Sequence, residues 1–338
     1  MENLLSLTIQ NGNEVVYMKI LVTPTSFSKD KPSKAKELLE EFADEIVYNP
    51  YGRPLAAEEI ISLAVGIDGY IAGLDYISSE AIEKVPSSLK VISRYGAGSD
   101  RVDIEACKKK GIIITNTPGV NSESVADLAF GLMLSVARKI PALDRKVRAG
   151  DWPRTTGTEL YKKTLGIVGL GAIGKGVAMR AKGFSMEILA YDPFIDKSFA
   201  GANGIKDCPF EELIRNSDFI SLHLPLNDQT RNIINADTIK IMKRGAVVIN
   251  TARGGLIDEQ AAYEALKSGR LGGLGLDAFE KEPPGSSPLF ELENVVVTPH
   301  AGAHTMEAVN NMGILAVQNL IDVLSGKECK YIVNKINK

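Results

Sequence analysis

Three ionisable side chains follow apolar runs in the carboxyl-terminal half of the chain, and their types suit acid–base chemistry on a carboxylate compound. His300 comes after the run Val295–Val297, and Arg253 opens an Arg-Gly-Gly segment after residues 246–250. Glu282 lies in a charged stretch between them. An arginine can anchor a carboxylate, a histidine can transfer a proton, and a glutamate can hold that histidine charged. Hydride transfer to a 2-oxo acid requires these three groups.

Each of the three also has an ordinary structural explanation. His300 fits a hydrogen-bonded loop histidine, Arg253 fits a surface arginine in a turn, and Glu282 fits a solvated run of charges. His304 follows His300 by four residues, the spacing of a metal-binding pair on a helix. A proline and a glycine around this pair disfavour a helix, and no third ligand is evident, so we expect no metal site.

Residues 164–193 have the order strand, glycine-rich turn, helix, strand and acid that a dinucleotide site needs. Gly169 permits the tight turn, Gly171 leaves room for the pyrophosphate, and Gly174 lets the helix pack closely on the strand. Asp192 follows Gly174 by 18 residues, near the spacing of about 20 expected for a carboxylate that binds the adenosine ribose. Because an acid repels a 2′-phosphate, the pattern favours NAD over NADP.

Two further segments are candidates for ligand contacts. His223 ends the apolar run 219–222, so it is a candidate for lining the cofactor cleft, although a structural histidine fits equally well. Arg94 is followed by Tyr-Gly-Ala-Gly, and exposed backbone N–H groups beside an arginine make an anion site. A plain turn is the alternative for this second segment.

Apolar runs alternate with helically spaced segments along most of the chain, which predicts parallel, doubly wound α/β sheets. The nucleotide motif is preceded by residues 1–163, so one such domain is inserted in, or follows, another α/β domain. A final helix is predicted over residues 306–324, with Gly326 ending it. The predicted strands cover residues 20–22, 45–48, 69–72, 89–93, 112–115, 165–168, 188–191, 219–222, 246–250, 275–277 and 295–298.

Composition indicates which cellular compartment and which classes of binding partner to expect. A net charge of −3 over 338 residues gives no reason to expect nucleic acid or an anionic membrane as a partner. No apolar run approaches the ~20 residues of a membrane span, and the amino terminus does not resemble a secretory signal. Cys107, Cys208 and Cys329 are widely spaced, which favours reduced thiols in the cytoplasm. We expect residues 1–17 to form an amino-terminal extension.

Taken together, the motifs resemble those of the D-isomer-specific 2-hydroxyacid dehydrogenases from Lys19 to about Asn334. The resemblance rests on SRYGAGSDRVD, NTPGVNSESVADLAFGLML, GIVGLGAIG with YDP, SLHLPL, INTARGGLIDE, GLDAFEKEP and TPHAGAHTMEA, in the family's order. It implies two Rossmann-like domains, with the cofactor domain inserted into the substrate domain. The implied boundaries are 18–117 with 303–338 for a flavodoxin-like substrate domain, and 118–302 for the NAD-binding domain. It also implies a homodimer joined through the cofactor domains.

Matching motif positions imply a role for each catalytic candidate. Arg253 would bind the substrate carboxylate and polarise the 2-oxo group, His300 would be the general acid/base, and Glu282 would support its protonated form. The NAD contacts, taken from the glycine-rich motif and the resemblance together, are Thr117, Gly169, Gly171, Ala172, Ile173, Gly174, Asp192, His223, Leu224, Thr251, Ala252 and Asp277.

Within the family, the chain looks most like the phosphoglycerate dehydrogenases, which oxidise D-3-phosphoglycerate in serine biosynthesis. Arg94 stands where those enzymes have an arginine next to the substrate, and the backbone at Ala97 and Gly98 would hold the substrate carboxylate. His304 replaces a residue that is usually small and hydroxylated. The chain ends at Lys338 without a regulatory domain, so serine feedback through such a domain is not expected.

Two other functions share much of this pattern. One is reduction of glyoxylate, hydroxypyruvate or another 2-oxo acid by the same mechanism. The other is an NAD(H)-sensing binding protein of the corepressor type, whose motifs are much the same.

Overall fold

A computed structural model describes residues 17–27 and 32–335 of the protein. Most of the expected amino-terminal extension and the last three residues lie outside this description. The chain divides into two compact units. Unit 1 contains the residues up to Pro118 and those from Val309 onward, and unit 2 contains Gly119–Ala308. The sequence placed these divisions after residues 117 and 302.

Unit 1 is built on a parallel sheet of five strands within the described residues, in the order β2-β1-β3-β4-β5. This is the strand order of flavodoxin-like sheets, in which β2 lies on one side of β1 and the later strands lie on the other, while all strands stay parallel. Three of the strands, β1, β3 and β4, are buried almost throughout, in keeping with helices on both faces. The elements are β1 (Lys19–Val22), α1 (Lys34–Phe42), β2 (Glu45–Tyr48), α2 (Ala57–Leu63), β3 (Gly69–Ala72), α3 (Ser79–Lys84), β4 (Val91–Arg94), α4 (Ile104–Lys110) and β5 (Ile113–Thr115).

Unit 2 begins with two helices and then forms a second parallel sheet, of seven strands within the part of the chain described. Its elements are α5 (Ser122–Ala137), α6 (Ile140–Arg148), β6 (Thr164–Val168), α7 (Ala172–Gly183), β7 (Glu187–Tyr191), α8 (Lys197–Ala202), β8 (Lys206–Asp207), α9 (Phe210–Asn216), β9 (Phe219–Leu222), α10 (Ala236–Ile241), β10 (Ala246–Asn250), α11 (Glu259–Lys267), β11 (Leu271–Leu276) and β12 (Val295–Val297). The strand order is β12-β11-β10-β9-β6-β7-β8. The order reverses between β6 and β9, the position at which Rossmann sheets bind dinucleotides.

A last helix, α12 (Met306–Leu324), begins in unit 2 and continues into unit 1. Its bounds are those predicted from the spacing of its apolar residues, and Gly326 beyond it has a φ of +69°. The Ser93 hydroxyl donates to the carbonyl of Ala316 (2.8 Å) and the Tyr95 hydroxyl to that of Val309 (2.6 Å), which ties the helix to β4 and the residue after it.

These observations confirm the predicted fold class of two parallel-sheet α/β domains. Three details differ from the sequence prediction. The helix α6 and the short strand β8 were not predicted, and β11 begins at Leu271 rather than Gly275. The sequence of β11, LGGLGL, contains three glycines, which hide the apolar signal of a strand.

Candidate active site

The imidazole of His300 is held by the carboxylate of Glu282. Nδ1 lies 2.9 Å from both carboxylate oxygens, and Oε1 also accepts a hydrogen bond from the backbone N–H of Phe279 at 3.1 Å. The two side chains are 25% and 15% exposed, so the contact is shielded while the ring can still be reached. A carboxylate on Nδ1 orients the ring and leaves Nε2 to exchange a proton with a ligand.

The loop that carries His300 is held by hydrogen bonds to Asp277. Asp277 directly follows β11 and is 1% exposed. Oδ1 accepts hydrogen bonds from the Thr298 hydroxyl (2.6 Å) and the Ala301 N–H (2.7 Å), and Oδ2 accepts one from the Gly302 N–H (2.8 Å). These three hydrogen bonds pair both oxygens of the buried carboxylate. The sequence assigned Asp277 to cofactor binding and missed these bonds to the His300 loop.

The turn that carries Arg253 packs against the segment that carries Glu282. Gly254 lies so close to this segment that an added Cβ would be 1.9 Å from the carbonyl carbon of Phe279. Only glycine allows this approach, so the Arg-Gly-Gly sequence serves packing between two loops of the site. Arg253 itself donates from Nη1 to the carbonyl of Ala252 at 2.8 Å. Unit 2 thereby brings the loops of Arg253, Glu282 and His300 together after the adjacent strands β10, β11 and β12.

The three glycines of the nucleotide motif differ in their surroundings. Gly169 has a φ of +99°, and a Cβ there would lie 2.7 Å from the carbonyl oxygen of His223. A Cβ on Gly174 would lie 2.1 Å from the carbonyl oxygen of Gly169, so this residue serves close packing. A Cβ on Gly171 would meet no protein atom within 4 Å. The space beside Gly171, at the start of α7, is therefore open to a ligand phosphate.

Other polar groups around this turn fit a dinucleotide. Asp192 directly follows β7, and its carboxylate accepts from the N–H groups of Leu170 and Phe194, both at 2.8 Å. Each oxygen keeps a second acceptor position for a ribose hydroxyl. Within the described residues, the buried atoms His223 Nδ1 and Thr251 Oγ1 have no hydrogen-bond partner. Unpaired buried polar atoms at strand ends are what a polar ligand would satisfy, so these residues fit NAD.

Four further candidates complete the expected cofactor set in unit 2. Ala172 and Ile173 form the first turn of α7, where backbone N–H groups have no partner within the helix. Leu224 is 8% exposed after β9, and Ala252 lies in the Arg253 turn. These positions surround the same carboxyl edge of the sheet.

The remaining candidates belong to unit 1. Thr117 is fully buried; its hydroxyl accepts from the N–H of Gly96 at 2.9 Å, and its own N–H donates to the carbonyl of Gly96 at 3.0 Å. Ala97 and Gly98 lie in the turn that follows Gly96; Ala97 is exposed and Gly98 is partly exposed. Thr117 therefore supports the turn that the sequence assigned to the substrate carboxylate.

Arg94 is only 4% exposed, and much of its guanidinium binds backbone oxygens. Nε donates to Gly98 (3.3 Å), and Nη1 donates to Ala72 (3.2 Å) and, in a shorter contact, to Gly73. Burial lowers the pKa of Arg94 from its ordinary value, an effect that the nearby Asp75 carboxylate opposes. In the structure Arg94 thus holds the turn at Gly98 against the end of β3.

Within the residues that the structure describes, no group of three or more His, Cys, Asp or Glu side chains is arranged to hold a metal ion. His304 is exposed and lies two positions before Met306, the first residue of α12. None of the helices in the described part of the chain combines the length and the apolar character needed to cross a membrane.

Comparison with known proteins agrees with this geometry. Residues 130–302 match the family described as D-isomer specific 2-hydroxyacid dehydrogenase, NAD binding domain. A D-3-phosphoglycerate dehydrogenase of Methanocaldococcus jannaschii is 47% identical over 264 residues, which is 77% of this chain and 50% of that protein. A glyoxylate reductase of Korarchaeum cryptofilum is 38% identical over 316 residues, 91% of this chain and 95% of that protein. The crystal structure of the TT0316 protein from Thermus thermophilus has a TM-score of 0.82 at 36% identity, covering 94% of this chain and all of that one.

The chain belongs to the D-isomer specific 2-hydroxyacid dehydrogenase family. This confirms the family, the oxidoreductase class and the NAD cofactor expected from the sequence. The chain spans about half the length of the phosphoglycerate dehydrogenase that it matches and nearly all of the glyoxylate reductase.

Proposed function

We propose that the protein is an NAD-dependent D-2-hydroxyacid dehydrogenase that interconverts a 2-oxo acid and its D-2-hydroxy acid. The observation that carries this proposal is the pairing of His300 Nδ1 with both oxygens of Glu282 at 2.9 Å, in the unit that also contains the dinucleotide turn. An oriented imidazole beside a nicotinamide site is the arrangement that carbonyl reduction needs.

Arg253, His300 and Glu282 each have a separate role in the reaction. Arg253 binds the substrate carboxylate with its guanidinium and polarises the 2-oxo group. His300 gives a proton from Nε2 to the substrate oxygen during reduction, and takes it back during oxidation. Glu282 keeps the ring in the orientation that presents Nε2. Bound NAD(H) supplies or accepts the hydride.

Substitution of His300 tests the assignment directly. His300→Ala should lower kcat by a factor of about 10²–10⁴, the usual contribution of a positioned acid/base, and leave the Kd for NADH within about twofold of the native value. Glu282→Gln is the matched change, since it keeps the size of the side chain and removes the charge beside Nδ1. Loss of NADH binding and of the fold in His300→Ala would contradict a catalytic role.

For the substrate, we propose 3-phosphoglycerate and 3-phosphohydroxypyruvate, which would place the protein in serine biosynthesis. The position of Arg94 in its motif and the 47% identity to a phosphoglycerate dehydrogenase support this assignment. A specific observation favours glyoxylate, hydroxypyruvate or another small 2-oxo acid instead. Nε and Nη1 of Arg94 are bound to backbone carbonyls, which reduces its capacity for a phosphate.

NADH oxidation with phosphohydroxypyruvate, hydroxypyruvate, glyoxylate and pyruvate distinguishes the substrates, and a repeat with NADPH tests the role of Asp192. If Arg94 binds a phosphate, Arg94→Lys should raise KM for phosphohydroxypyruvate far more than for glyoxylate. Equal changes would assign Arg94 to the turn alone. Tight NADH binding without turnover of any of these acids would favour the NAD(H)-sensing class.

We also propose that the protein is a cytoplasmic homodimer joined through unit 2. Its three cysteines are free and buried, as suits a reducing compartment. Four apolar side chains of α6 and the segment that follows it are exposed, namely Ile140 (50%), Val147 (49%), Trp152 (81%) and Tyr161 (54%). Exposed apolar surface is typical of a protein interface. Trp152→Glu should therefore yield a monomer by light scattering, whereas Tyr76→Glu, at an exposed aromatic of unit 1, should not.

A further inference from the structure

Asn250, the last residue of β10, is fully buried, and its carboxamide closes the turn that leads to Arg253. Oδ1 accepts a hydrogen bond from the N–H of Ala252 at 3.0 Å, and Nδ2 donates to the carbonyl of Arg253 at 2.7 Å. The backbone carbonyl of Asn250 accepts from the N–H of Asp277 at 2.9 Å. Both ends of a buried amide are therefore committed to the backbone around one functional residue.

Few side chains can make this pair of bonds. The turn offers one N–H and one carbonyl, so the side chain must contain both an acceptor and a donor a short distance from Cα. Aspartate lacks the donor, serine reaches with a single oxygen, and glutamine is longer by a methylene group. A buried amide is costly unless both ends are paired, so the observed geometry of the turn is the one that Asn250 stabilises.

The other side of the turn is fixed independently by packing. Gly254 lies against the backbone of Phe279, where an added Cβ would be only 1.9 Å from the carbonyl carbon. Arg253 therefore stands between a hydrogen-bonded position and a close-packed one. The direction in which its long side chain leaves the backbone is set by these two neighbours.

We propose that Asn250 is a positioning residue for Arg253: it fixes the backbone from which the guanidinium reaches the substrate carboxylate. The inference rests on the proposed function, in which Arg253 binds that carboxylate. It assigns a role in substrate binding to a fully buried residue whose side chain is paired with the backbone of the turn.

Asn250→Asp is the sharpest test, because it keeps the shape of the side chain and the acceptor for Ala252. It removes the donor and sets an oxygen against the carbonyl of Arg253. A displacement of about 1 Å can cost about 10²-fold in a positioned interaction, so we expect KM for the 2-oxo acid to rise about 10- to 100-fold. The Kd for NADH should stay within about twofold. An unchanged KM, or an equal loss of NADH affinity, would overturn the proposal.

The matched control is Asn235→Asp, the same exchange in another hydrogen-bonded turn of unit 2. Asn235 caps α10, where its side chain accepts from the N–H groups of Asp237 and Thr238 and donates to the carbonyl of Asn232 at 2.9 Å. This variant should leave KM unchanged. If Asn250→Asp folds poorly, Asn250→Ser, which keeps one hydrogen-bonding atom, should show the same separation of KM from NADH affinity.

Two further measurements separate positioning from general stability, and from failure of the proposed function. In an Arg253→Ala background, Asn250→Asp should cause no additional rise in KM, because the two residues act through one interaction; multiplied effects would overturn the proposal. If the native protein reduces no 2-oxo acid, the proposed function fails, and a crystal structure of Asn250→Asp still decides the inference. A shifted Arg253 supports it, and an unmoved Arg253 overturns it.

Discussion

His223 should make the protein less stable in mild acid, by an amount that follows from its surroundings. Its Nε2 lies 2.8 Å from the Ser221 hydroxyl, and its Nδ1 is buried without a partner among the residues described. Burial lowers the pKa of His223 from 6.5 to about 3. Between these values the unfolded chain binds a proton that the folded chain does not. Stability should therefore be lost as the pH falls below about 6.5.

The size of the effect follows from the shift, at about 1.4 kcal/mol for each pH unit in this window. Between about pH 7.5 and pH 5, protonation of the unfolded state should cost about 2 kcal/mol of stability. The assay is urea unfolding of the protein without NAD at about pH 7.5, 6 and 5, followed by circular dichroism. Comparing variants with the native chain cancels the contributions of the other titrating groups.

His223→Gln is the test variant, because glutamine can still reach Ser221 and does not titrate. Its stability should fall by about 2 kcal/mol less than that of the native chain over the same range. His304→Gln is the matched control: His304 is exposed, so this variant should parallel the native chain. Parallel pH profiles for His223→Gln and the native protein would refute the reasoning. A change in stability that is the same at every pH would report packing alone.

Four other consequences can be measured. Gly171→Ala should fold normally and bind NADH at least about tenfold more weakly, because the added Cβ meets only open space needed by the ligand; calorimetry with unchanged affinity would contradict this. Gly174→Ala should instead lower Tm, because its Cβ would be 2.1 Å from the backbone oxygen of Gly169. Asp277→Asn should reduce kcat by about tenfold or more, since an amide cannot accept all three hydrogen bonds of the loop it holds; native turnover would count against that role. Cys107, whose pKa burial raises to about 12, should react with a thiol reagent only after unfolding, as the time course at about pH 8 would show.

The sequence was informative wherever the signal was local. Apolar runs located β6, β9 and β10 because strands of a parallel sheet are buried on both faces. The glycine-rich turn and Asp192 could be placed from spacing alone, because a βαβ unit fixes the distance between its strand ends. The helix α12 could be bounded from its periodic apolar face and from Gly326.

The sequence did not predict contacts that depend on which backbone groups lie close together in the folded protein. The segment that begins at Arg94 had the composition of an anion site. The burial of Arg94 against the carbonyls of Ala72 and Gly73, however, depends on how β3 and β4 pair. Asp277 was assigned from motif position, and its bonds to the His300 loop arise from residues more than twenty positions later. The sequence did contain a signal for Asn250, because a polar residue ends a buried strand four positions before a glycine. This signal was missed.

The polar residues at these strand ends couple the geometry of the site to the stability of the sheet. Asn250 and Asp277 are buried at the ends of neighbouring strands, where an unpaired amide would cost ~2–7 kcal/mol and an unpaired carboxylate more. Their partners are the backbone groups of the Arg253 and His300 loops. The buried groups are satisfied only when both loops take the observed conformation, so the sheet itself disfavours other loop conformations. Loss of these side chains should therefore lower stability and activity together, whereas a change at Gly171, which meets no protein atom, should affect ligand binding alone.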